Sequence, residues 1–235
     1  MPEIRRVVSF IMALDPKRRI KALSTTLGLI ILAIILAFFA PEEKTLGSNI
    51  RLIYLHAAVT WVGLILFIAS GLLGLLYFVG SIFPVGGDRF KNNMANWSSA
   101  GQTTATLFWV AHLTLGAIGA YIIWGGTWWD EPRLKIAALI LLMAIVTFLI
   151  RLMVDNKSLW AGLNLTFPLL TYLLLWKTGK LFHPDNAFAA SDSFSIKLFA
   201  ALITLTFILV AITAMRLIFD IQKGQESKVQ PDVGG

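Results

Sequence analysis

The 235-residue chain has no cysteine, only 13 acidic residues and three histidines. Without a thiol it forms neither a disulfide nor a thiolate ligand, so a metal would have to be held by histidine, methionine, carboxylate or backbone. Charge is scarce as well. Charged residues are 14% of the chain and hydrophobic residues 57%, a balance that excludes an ordinary soluble domain. There is no internal repeat, no phosphate-binding glycine-rich loop and no pair of Gly/Pro-broken helices in corresponding halves. These absences argue against an ATPase and against a transporter built on broken helices.

What is present is a set of long apolar runs whose interiors are free of charge, as expected where each ion buried in hydrocarbon costs roughly a few kcal/mol or more. Six runs reach the roughly 20 residues that a helix needs to cross a bilayer: about 22–40, 52–83, 103–123, 134–153, 158–176 and 195–219. The expected fold is therefore all-α, a polytopic membrane protein of six transmembrane helices. A basic tail over 1–21, a bundle over 22–219 with a loop at 124–134, and a tail over 220–235 make one membrane domain. About twenty residues precede the first run, and a cut after Ala40 would place Pro41 beside the scissile bond, so the first run reads as a retained helix rather than a signal peptide.

The net charge of +7 reads as an orientation signal rather than a nucleic-acid surface, because Arg5, Arg6, Lys17, Arg18, Arg19 and Lys21 crowd ahead of the first run. With both termini cytoplasmic, thirteen Lys and Arg fall inside and seven outside, in the sense of the positive-inside rule. That topology predicts outer connections at about 41–51, 124–133 and 177–194, so His56, His183 and the tryptophan-rich loop share one face.

The loop reads Trp124-Gly125-Gly126-Thr127-Trp128-Trp129-Asp130-Glu131-Pro132-Arg133. Indoles gather at bilayer interfaces as anchors, but three beside an arginine also suit stacking on a flat anionic ligand such as haem, with Arg133 toward a propionate. Asp130 and Glu131 would repel propionates and are expected to pair with Arg133 or Lys135, or to meet a partner. His56 and His183 can each act as an axial ligand of haem iron or hydrogen-bond headgroups and water. His112 stands apart: it falls in the middle of the third run, about 18 Å of helix rise below Trp124, with no expected histidine partner in the bilayer. It reads either as functional or as a neutral imidazole bonded to a neighbouring helix. Gly116 and Gly119 follow it as a close-packing face.

These motifs resemble the CcmC-type haem-handling proteins of cytochrome c maturation, over nearly the whole chain. The family's loop pattern, Trp-Gly-x-x-Trp-x-Trp-Asp-x-Arg, is matched at Trp124, Gly125, Trp128 and Arg133, while Asp130 and Glu131 stand where it has Trp and Asp. Its second-helix pattern is matched at Tyr54, His56 and Trp61, without the usual proline after the histidine. His183, followed by Pro184, is the candidate for its second histidine. The resemblance implies that haem b is held transiently at the outer face of a bacterial or archaeal cytoplasmic (inner) membrane. His56 and His183 would be the axial ligands, and Trp124, Trp128 and Trp129 a platform. It implies delivery to a periplasmic CcmE-like chaperone, with CcmA/CcmB-like ABC subunits and a small CcmD-like subunit as partners; the chain itself would be no enzyme, and any ATP hydrolysis would be a partner's. The competing expectation is a membrane cytochrome or quinone-linked oxidoreductase subunit, which would need paired histidines inside the bilayer.

Overall fold

A computed structural model describes residues 16–83, 86–126, 129–179, 188 and 191–229. Among these, six helices are long and apolar enough to cross a membrane, and there is no strand. They are α1 (Pro16–Phe39), α2 (Ile50–Ile82), α3 (Gly87–Trp124), α4 (Pro132–Met153), α5 (Lys157–Trp176) and α6 (Phe194–Val229). Many large apolar side chains point outward, Leu72, Leu142, Leu205 and Phe39 among them. Such a surface is at odds with water and suited to lipid, and the protein has the character of a multi-pass membrane protein.

The long hairpin of α2 and α3 forms the centre of the bundle. α5 packs on α2, α4 packs on α3, and α6 lies against both; α1 sits at the periphery, chiefly on α6. Small residues let α5 approach α2 closely. A Cβ built on Gly74 would stand 2.6 Å from the carbonyl oxygen of Ala161, and one on Gly71 would stand 2.9 Å from Pro168 Cγ.

α3 starts well before the expected run of 103–123. Its first sixteen residues, 87–102, are too polar to register as a span, yet Asn96, Ser98, Ser99 and Gln102 are buried. Neighbouring helices cover these residues, and Ser98 finds its partners there. Ser70 and Ser98 each donate a hydroxyl hydrogen bond to the other's carbonyl, at 2.7 and 2.9 Å, and Asn164 Nδ2 donates to Ser98 Oγ at 2.9 Å. α6 likewise runs ten residues beyond the end of its apolar run.

Candidate functional site

An antiparallel hairpin brings level those residues that stand equally far from its turn, and His56 on α2 and His112 on α3 are such a pair. Their imidazoles stack with centroids 4.7 Å apart and planes 23° from parallel. The expectation that His112 has no histidine partner is therefore corrected. Its level relative to the neighbouring helices follows from the same register. α3 overshoots the start of α2 by about 9 Å, so distance below Trp124 overstates depth below the neighbouring helices. Leu134, in the first turn of α4, already lies level with Gly116, one turn beyond His112.

Three neighbours hold the stacked pair. Thr60, one turn after His56, donates its hydroxyl proton to the His56 carbonyl (2.6 Å) and lies 2.7 Å from His112 Nδ1. A hydroxyl has one proton. With that proton on the carbonyl, His112 Nδ1 is the donor to Thr60, and in the neutral ring the lone pair falls on Nε2. Trp109 lies beneath His112, ring centroids 4.5 Å apart, its indole N–H donated to the Ala137 carbonyl at 2.9 Å. Gly116 supplies the space: a Cβ there would meet Leu134 Cδ2 at 2.7 Å and His56 Cε1 at 3.0 Å. Neither Thr60 nor Trp109 was singled out from the sequence. The only signal was that Thr60 is four residues after His56 and Trp109 three before His112, the spacings that share a helix face.

A bis-imidazole haem site requires the two coordinating nitrogens on opposite sides of the porphyrin, with metal–nitrogen bonds of about 2 Å. The imidazoles then meet the metal end to end. His56 and His112 meet face to face, so this arrangement leaves no room for a porphyrin between them, and one ring at most can ligate a given iron.

Toward the tryptophan turn, α3 ends at Trp124. Gly125 closes it with φ +63°, a left-handed conformation natural to glycine, and Gly126 N–H reaches the Ala120 carbonyl at 3.1 Å. Trp129 is 59% exposed. Glu131 is fully buried and caps α4, its carboxylate accepting the backbone N–H of Arg133 at 3.0 Å, with Pro132 at the first helical position. It therefore bonds the main chain of Arg133, a role the expectation of side-chain pairing did not include. Trp61 is 61% exposed; five residues on from His56, it lies on a different part of the helix circumference. Trp128 and His183 lie outside the described residues.

The connection that contains His183 nevertheless has one described contact with this region. Phe188 stacks on Tyr54 at 4.7 Å, planes 19° apart, and Tyr54 is two residues before His56. Among the described residues no group of three or more His, Asp or Glu is gathered as a metal site. Comparison with protein-family models finds no match, and comparison with curated proteins finds none, so neither identifies the family that the motifs resemble.

Proposed function

We propose that the chain is a haem-binding membrane subunit that presents haem b at the face carrying Trp124 and Trp129 and passes it to a periplasmic CcmE-like chaperone during c-type cytochrome biogenesis. The observation that carries this reading is the Tyr54–Phe188 stack, because it ties the connection containing His183 to the turn of α2 that holds His56. His56 and His183 are then the axial ligands, with Trp124, Trp128 and Trp129 against the porphyrin edge, Gly125 shaping the turn and Arg133 facing a propionate. The excess of Lys and Arg on one side supports cytoplasmic termini, and the family resemblance points to a bacterial or archaeal inner membrane. CcmA/CcmB-like and CcmD-like subunits would be the partners, with ATP hydrolysis left to the ABC component.

The His56–His112 contact favours a second reading, a membrane cytochrome or quinone-linked subunit with haem between the helices. The face-to-face stacking counts against both rings serving one iron. Spectra of the purified protein separate the two readings. In the delivery reading, His56→Ala and His183→Ala each weaken haem retention and shift the Soret band, while His112→Ala leaves haem bound. Loss of haem in His112→Ala with full retention in His183→Ala sinks the delivery reading.

A further inference from the structure

A helix does not by itself fix the plane of an imidazole that it carries. The outer torsion of a histidine side chain has no sharp minima, so the His56 ring can turn about its Cβ–Cγ bond unless its neighbours prevent it. In many metal sites the restraint is a hydrogen bond to the ring's second nitrogen. For His56 a second ring supplies restraint, since His112 lies 4.7 Å away with its plane 23° from parallel.

His112 can act as a fixed surface because it is itself tethered. Its Nδ1 lies 2.7 Å from a Thr60 hydroxyl whose proton goes to the His56 carbonyl, so the bond sets the plane of the ring as well as its tautomer. Trp109 packs on it at 4.5 Å and is anchored in turn on the Ala137 carbonyl of α4. A phenylalanine at this place would fill similar space but would have no tether on its rim. The register that brings the two rings level is also locked. Ser70 stands fourteen residues after His56 and Ser98 fourteen before His112, roughly four turns along each helix, and these serines exchange hydroxyl-to-carbonyl hydrogen bonds.

The other neighbour of His56 defines which edge of the ring is turned inward. A Cβ on Gly116 would stand 3.0 Å from His56 Cε1 and 3.6 Å from Nδ1, and Nδ1 is buried. The Nδ1–Cε1 edge therefore faces α3, and Nε2 is the nitrogen left to meet a metal. We propose that His112 is a positioning residue for His56, holding the imidazole plane so that Nδ1 stays against α3 and Nε2 is presented to the haem iron. This role rests on the delivery reading, in which His56 is an axial ligand.

The test uses the full chain in detergent, with and without haem. The angle of an axial imidazole plane affects how the iron d orbitals split, so the EPR lines of the low-spin ferric form report it, and a role in packing alone would leave them in place. His112→Ala should keep haem bound but about tenfold more weakly, the low end of what support of a metal ligand is worth, with broadened and shifted lines. Thr60→Val, which keeps the shape and removes the tether, should shift the lines in the same direction and serves if the alanine variant does not insert. His112→Phe, which keeps a flat face without the tether, should fall between wild type and His112→Ala. In the haem-free protein the nitrogen NMR signals of the His56 ring should be sharp in wild type and averaged in His112→Ala. Unchanged EPR lines and ring signals in both His112→Ala and Thr60→Val, with the low-spin signal lost in His56→Ala, overturn the proposal and leave the delivery reading standing. An unaltered low-spin signal in His56→Ala overturns both.

Discussion

Gly116 holds the histidine pair in place by lacking a side chain, and two opposing effects of adding one can be weighed. Alanine in a helix interior is favoured over glycine by about 1 kcal/mol, whereas forcing a methyl against Leu134 and the His56 ring costs roughly 1–3 kcal/mol. Gly116→Ala should therefore be destabilising or near neutral in thermal unfolding and should rotate the His56 ring, seen as shifted imidazole NMR signals. Unchanged signals would mean that the ring does not lie over that glycine. Glu131 makes a second case. Removing its cap in Glu131→Ala should cost about 0.5–2 kcal/mol, while Glu131→Gln, which keeps an accepting oxygen, should lose less; equal losses would rule out the cap. The Glu-Pro start of α4 was legible in the sequence as helix-start chemistry, but Glu131 drew attention as a charge instead. The His56–His112 contact was not legible, because it depends on hairpin register, which no single helix encodes.

The elements themselves followed from hydropathy, since uninterrupted apolar runs admit few alternatives to helix. Hydropathy failed at 95–102, where Asn96, Ser98, Ser99 and Gln102 of α3 are buried. It also gave no sign that Gly71 and Gly74 set the distance between α2 and α5. A methyl at residue 74 would press on backbone, which cannot rotate out of the way as a side chain can. Gly74→Ala should thus lower stability by about 1–3 kcal/mol. Gly28→Ala, where a Cβ meets nothing within 4 Å, should be neutral or stabilising by up to about 1 kcal/mol. Similar unfolding temperatures for the two variants would show that the α2–α5 crossing is looser than described.

At the scale of the whole molecule, six spans among the described residues would put alternate connections on opposite faces, and a chain without cysteine allows single reporters to test this without removing native thiols. Lys44→Cys, between α1 and α2, and Asp155→Cys, between α4 and α5, are both at exposed positions. They should react with a membrane-impermeant thiol reagent from opposite sides, Lys44→Cys from outside intact cells if the charge bias sets the orientation. Labelling of both from one side would refute the six-span topology, and labelling of Asp155→Cys alone from outside would invert it. The peripheral helix carries a further consequence. α1 rests mainly on α6, and Thr26 Oγ1 meets Thr213 Oγ1 at 3.0 Å across 187 positions of sequence. A ribosome adding about 5–20 residues per second takes roughly ten to forty seconds to travel between those two threonines. For that interval α1 has not yet met its principal neighbour, so the bundle can close only after α6 has been made. A chain stalled before α6 leaves α1 with a bare flank in the bilayer, a mark by which membrane proteases could tell such a molecule from one whose bundle has closed.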